Sequence, residues 1–252
     1  MKITALNIRT VLVPLTEPHR TASGIVTASP LVLLSVQTDA GAVGHSITFT
    51  YTPAALKPLA ELMRGMEALV VGQALAPATV WQVLHARFRL LGTQGLVGMA
   101  IAGIDMALWD ACARAQSMPL YALLGAAPKA IKPYAPIGFD GAEGCAKVAE
   151  RWAAQGFLGI KAKIGYPTVE EDLAVIRAMR AAAGEQMSIM VDYNQSLDPT
   201  EAARRLRHLD EEGLTWIEEP VLAHDDAALH QLAQSTRTPL QAGENWWGPC
   251  MI

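Results

Sequence analysis

The chain has 252 residues, 51% of them hydrophobic and 17% charged, with a formal net charge of −4. That is enough apolar material for one large or two modest cores, which excludes a disordered chain. The interspersed charges exclude the basic stripe of a nucleic-acid binder, and the apolar runs read as too short or too broken to span a membrane.

In chain order, residues 2–13 read as a strand, and 30–37 with 42–48 as a hairpin around Asp39-Ala40-Gly41. The polar, Gly-containing stretch 17–29 between them predicts a mobile loop. Thr52-Pro53 supplies a cap and an N1 proline, and Leu56, Leu59, Leu62 and Met63 form a helical stripe. Further helices are expected near 78–89, 94–116 and 119–124, so 1–125 reads as an α+β domain carrying a substrate lid.

After Pro133 short strands alternate with amphipathic helices. Strands fall near 131–137, 158–163, 188–192, 214–218 and 239–243, with helices near 141–154, 168–183, 199–211 and 224–234. This rhythm means parallel βαβ units. The turn Gly138-Phe139-Asp140-Gly141 does not make GxGxxG, which disfavours a dinucleotide fold. The expected class is α/β: an α+β capping domain followed, over 126–252, by an incomplete (β/α) barrel with about five of eight strands. The Met1-Lys2-Ile3 start lacks the apolar block of a signal peptide. Cys112, Cys145 and Cys250 show no CxxC spacing and read as reduced thiols of a cytoplasmic protein.

Four of the expected strand ends carry ionisable residues: Lys161 and Lys163, Asp192, Glu218, and Glu244. Asp192 to Glu218 and Glu218 to Glu244 are both 26 residues, one strand–helix unit, which predicts equivalent places on adjacent strands. Period-2 alternation puts Lys161 and Lys163 on one face, and Ile160, Ala162 and Ile164 on the other. Three carboxylates at the C-terminal ends of parallel strands repel unless a cation sits among them, and an all-oxygen set favours Mg²⁺ over Zn²⁺. Two lysines beside a dication are expected to have lowered pKa values, so that one serves as a base. Proton abstraction α to a carboxylate is the chemistry this combination predicts.

The segments Lys161-Ala-Lys163, Val191-Asp-Tyr-Asn194, Trp216-Ile-Glu-Glu-Pro220 and Gly243-Glu-Asn-Trp246 resemble the mandelate racemase subgroup of the enolase superfamily. So do Ala102-Gly-Ile-Asp-Met-Ala-Leu-Trp-Asp110, Pro30-Leu-Val-Leu and Val43-Gly-His-Ser46, and the resemblance covers essentially the whole chain. It implies that Asp192, Glu218 and Glu244 bind Mg²⁺, and that Lys163 is the base. Lys161 would tune Lys163 and neutralise the substrate carboxylate. Asn194 would contact the α-hydroxyl, and Phe49, Tyr51 and Val26 would wall the substrate.

Two residues depart from that pattern. Pro136 stands where the subgroup's racemase has a substrate-touching serine, and His19, read as a solvent-facing loop residue, stands where its lid is apolar. The resemblance also implies a second base, a histidine backed by an aspartate, and a last-strand glutamate. His19, His45, His85, His208, His224 and His230 do not occupy that position. The reading is therefore a truncated frame or fragment with open barrel edges. The expected function is Mg²⁺-dependent α-proton abstraction from a 2-hydroxycarboxylate, with racemisation as its outcome. The alternatives are an acid-sugar dehydratase and an inactive remnant that at most binds metal. The expected partner is a small-molecule carboxylate, with no nucleic acid and no membrane, in a homo-oligomer.

Overall fold

The computed structural model describes residues 1–21 and 24–248. The chain divides into two compact units, one of Met1–Thr16 with Thr27–Ala130 and one of Glu17–Val26 with Ile131–Trp246.

The first unit is built on strands β1 (Ile3–Thr21), β2 (Gly24–Thr38) and β3 (Val43–Phe49), in the order β1-β2-β3. β2 and β3 are antiparallel, with Leu34 opposite Ser46. Val32, Leu34 and Val36 alternate into the core, as a half-buried strand requires. Helices α1 (Pro53–Val70), α2 (Pro77–Phe88), α3 (Gly95–Ala115) and the short α4 (Leu120–Leu123) follow. Thr52 caps α1 by accepting from the Ala54 N–H. α3 is long and apolar enough to cross a bilayer by length and composition, contrary to the sequence reading. Here it is a core helix packed on α1, α2 and β3. Gly44 is what lets β3 approach it, since a Cβ there would stand 2.0 Å from the Ala107 carbonyl oxygen.

Of the expected mobile loop at 17–29, residues 17–21 and 24–29 are instead strand, because β1 runs on to Thr21 and β2 begins at Gly24, and 22–23 lie outside the described residues. One backbone and one side-chain contact that a polar sequence does not advertise hold this ribbon. Phe139 N–H donates to the Arg20 carbonyl at 3.0 Å, and Arg151 pairs with Glu17 at 3.1 Å.

The second unit alternates β4 (Ala135–Ile137), α5 (Gly141–Ala154), β5 (Gly159–Lys163), α6 (Val169–Ala183), β6 (Ser188–Asp192), α7 (Pro199–Leu209), β7 (Trp216–Glu218), α8 (Asp226–Ser235) and β8 (Leu240–Gln241). The strands are parallel and lie in the order β4-β5-β6-β7-β8. Sequential order with no reversal point is barrel winding rather than the doubly wound pattern. Its core joins Ile160, Ala162, Ile189, Val191 and Ile217 of the strands to Val175, Ile176 and Met179 of α6 and Leu206 of α7. β4 is shorter than expected, since residues 131–134 lie outside it. Cys145 is buried and Cys112 half-buried, both as free thiols, and Cys250 lies outside the described residues.

Candidate metal centre

Parallel register sets the first three functional positions. Lys163 stands beside Asp192, and Asp192 beside Glu218, on one row across β5, β6 and β7. The row continues to Gln241 on β8, not to Glu244. Equal spacing therefore does not mean equivalent strand positions for all three acids. Glu244 reaches the cluster from the turn beyond β8, which Gly243 enters at φ 128°.

Carboxylate oxygens of Asp192, Glu218 and Glu244 nonetheless converge within 4.8 Å of one another. Asp192 and Glu218 are buried and Glu244 is exposed. Like charges this close need a counter-charge, and the two lysines supply it. Lys163 Nζ lies 2.5 Å from Asp192 Oδ2. Lys161 Nζ lies 3.1 Å from the same oxygen and 2.7 Å from Glu218 Oε1. The Trp216 indole N–H donates to the other Glu218 oxygen at 3.1 Å. Three converging oxygen donors, two of them buried, fit a hard dication.

The lowered lysine pKa expected beside a dication concerns the metal-loaded site; in the arrangement of side chains alone, carboxylates surround Lys161. Burial pulls its pKa down, but the hydrogen bond to Glu218 and the charges of Asp192 and Glu218 outweigh burial and hold it above the ordinary value. A cation that engaged those carboxylates would remove this stabilisation.

Asn194 follows β6 with φ 45° and donates its backbone N–H to Asp192 Oδ1 at 2.8 Å. Gln195 at φ 64° and Glu219 at φ 39° share the left-handed conformation. Strained backbone gathered at two adjacent strand ends is a feature of functional sites. Val26 lies half-buried in the ribbon tip of the second unit, while Phe49 and Tyr51 form an exposed tilted ring pair in the first. His19 is half-buried rather than solvent-facing. Its pKa is lowered first by burial and then by the Lys163 ammonium, with Asp140 opposing, so it sits on the lysine side of the site. Pro136 pairs with Lys161 across β4 and β5 and offers only its carbonyl, which accepts from the Trp152 indole. Among the remaining histidines, His85, His208 and His230 lie in helices and His224 in an exposed turn.

The sequence reading missed Glu219. Its two oxygens accept from Asn245, at 2.7 Å from Nδ2 and 3.3 Å from the backbone N–H, which anchors the residue next to Glu244. Burial raises the Glu219 pKa, Asn245 acts against the rise, and the charges of Asp192 and Glu244 add to it. A second acid at a buried strand end in Trp216-Ile-Glu-Glu-Pro220 is the signal that could have found it. Asp172 and Arg205 were also missed, because in sequence each reads as an ordinary helix-surface charge.

Comparison with known proteins gives consistent matches. The mandelate racemase / muconate lactonizing enzyme N-terminal domain family matches residues 3–125, and the enolase C-terminal domain-like family matches 144–251. L-Ala-D/L-Glu epimerase of Bacillus subtilis is 30% identical over 255 residues, covering 99% of this chain and 68% of the relative. D-galactarolactone cycloisomerase of Agrobacterium fabrum is 32% identical over 256 residues, covering 98% and 66%. The crystal structure of an enolase from Bradyrhizobium, complexed with magnesium and mandelic acid, superposes with a TM-score of 0.94 at 41% identity. That match covers 99% of this chain and 70% of the other. The chain thus spans about two thirds of the length of these relatives.

Proposed function

This chain belongs to the mandelate racemase / muconate lactonizing enzyme family of enolase-like enzymes, and from that premise we propose that it removes the α-proton of a small 2-hydroxycarboxylate. In this reading Asp192, Glu218 and Glu244 hold Mg²⁺ and Lys163 is the base. The observation that carries it is the convergence of the three carboxylates within 4.8 Å, with Lys163 Nζ 2.5 Å from one of them.

When bound, Mg²⁺ supplies positive charge to the substrate carboxylate as negative charge builds there. The other roles belong to the chain's own residues. Lys163 takes the α-proton onto Nζ, which requires the neutral amine. Lys161, on the same face of β5, presents its ammonium to the carboxylate. Asn194 orients the α-hydroxyl, with its backbone fixed by Asp192. The mandelic acid bound by the Bradyrhizobium relative supports the 2-hydroxycarboxylate class. Racemisation of such an acid is the outcome we assign. A cytoplasmic location, consistent with free thiols, and a homo-oligomeric assembly complete the proposal.

One observation favours a second reading, dehydration of an acid sugar. The half-buried His19 brings a polar, proton-carrying group to the side of Lys163, where an aryl pocket has no use for one. Incubation in D₂O with Mg²⁺ tests both, using mandelate and a hexaric acid as substrates. Deuterium entering the α-position of one enantiomer, and lost in Lys163→Ala, supports the base. Release of a keto-acid from the hexarate alone selects dehydration. Absence of exchange with either acid refutes the assignment.

A further inference from the structure

We infer that Asp172 is a positioning residue which, through Tyr193 and Arg205, holds Lys163 and Asp192 at their working separation. The inference rests on the site reading above and deepens it.

Asp172 lies in the first turn of α6 and is fully buried. Its carboxylate faces two strand exits at once. Oδ1 accepts the backbone N–H groups of Gly165 and Tyr166, each at 2.9 Å. Those residues follow Lys163 by two and three positions. Oδ2 accepts the Tyr193 hydroxyl at 2.9 Å and Arg205 Nη1 at 2.7 Å, and Tyr193 is the neighbour of Asp192. One side chain therefore ties the exit of β5, which carries the base, to the exit of β6, which carries a metal ligand.

The surroundings make this tie rigid. Tyr193 is fully buried, so its hydroxyl has no water to turn to and is committed to Asp172. Arg205 also donates to the Tyr166 and Pro167 carbonyls, at 2.7 and 3.1 Å, which pins the far side of the same loop. Gly165 has φ 110°, and a Cβ there would meet Ser196 Oγ at 2.7 Å, so the two exits run in direct contact. Tyr166 stacks on Phe139 at 3.9 Å and accepts the Gly141 N–H through its hydroxyl. That extends the connection to the turn after β4.

Stability alone does not account for such a group. A buried Arg–Asp pair is often no better for stability than apolar residues of the same volume. What apolar residues cannot do is bond four donors from three separate segments and so fix their relative orientation. Groups that orient metal-binding side chains typically change metal affinity about ten- to a hundredfold when they are removed.

Two variants test the inference. Tyr193→Phe keeps the ring in the core and deletes one donor. Asp172→Asn keeps the shape and removes the charge, at the risk of misfolding around Arg205. The readouts are Mg²⁺ affinity by titration calorimetry, the melting temperature in EDTA, and backbone hydrogen exchange in EDTA. We expect Tyr193→Phe to weaken Mg²⁺ binding about tenfold and to speed exchange at 164–166 and 193–197 together, with 217–221 unchanged. A lowered melting temperature with unchanged Mg²⁺ affinity and unchanged exchange at 164–166 would overturn it. If the unmodified chain binds no Mg²⁺, the metal reading fails, and joint or separate exchange at the two exits still decides whether Asp172 couples them.

Discussion

Asp192→Asn is the substitution whose consequences the geometry fixes most closely. The Asp192 side chain is 0% exposed and holds two ammonium groups, at 2.5 and 3.1 Å. Asparagine preserves the shape and still accepts the Asn194 N–H, but it removes the charge. At an effective dielectric of about 20, each contact is worth roughly 5–7 kcal/mol of gross attraction. Most of that repays desolvation, and breaking a buried pair costs about 3–5 kcal/mol net. Lys161 retains Glu218 at 2.7 Å, and both lysines keep some access to solvent. The lower end, about 3 kcal/mol, is therefore expected. For a chain of this length that corresponds to a melting temperature lower by roughly 6–12 °C. The assay is thermal denaturation followed by circular dichroism, in EDTA and in excess Mg²⁺. At a hundredfold excess over its dissociation constant, Mg²⁺ should stabilise the unmodified protein by about 2.7 kcal/mol and the variant by nothing measurable. Adding Lys163→Met to Asp192→Asn should recover part of the loss in EDTA, because the unpaired ammonium goes with it. Two results would refute the reasoning: a variant as stable as its parent in EDTA, or a Mg²⁺ shift that survives the substitution.

Other parts of the chain give independent checks. Gly44→Ala places a methyl 2.0 Å from the Ala107 carbonyl and 2.3 Å from the Ala111 nitrogen, and neither backbone atom can yield. The expected loss is about 3 kcal/mol or more, read as an earlier melt of the first unit. Glu201 supplies a pH test. Hydrogen bonds from Arg204 and then Arg205 lower its pKa from 4.5 to about 2. Between those values the unfolded chain binds a proton that the folded chain does not, so stability falls as pH falls through the window. Glu201→Gln should flatten this acid limb in urea titrations from pH 5 to 2, and an unchanged slope would show that the arginines do not hold the carboxylate.

Much of the fold was readable in sequence because its signals are local. Period-2 and period-3.6 patterns, Thr52-Pro53 and the strand–helix rhythm after Pro133 located the elements, and the lysine pair and the Asp192 and Glu218 strand ends located most of the site. The reading failed where position depends on partners distant in the chain. Residues 17–29 read as a loop because their polarity hides strand at 17–21 and 24–29, with contacts to Arg20, Arg151 and Phe139 made only on folding. α3 does not read as bilayer-length in sequence because its apolar residues are interrupted by single polar ones. His19 reads as solvent-facing because nothing in its neighbours in sequence indicates Lys163.

The sequence by itself determined which groups are present and on which strand face Lys161 and Lys163 project, since alternation along a strand is a property of the backbone alone. Tertiary structure decided how far apart those groups stand. Parallel register put Lys163, Asp192 and Glu218 on one row and left Glu244 to arrive from a turn. The Glu219–Asn245 clasp set that arrival, and Asp172 tied the first two strand exits together. Both are contacts between segments that only folding brings within hydrogen-bond range, and hydrogen bonds of about 3 Å leave no trace in local sequence pattern.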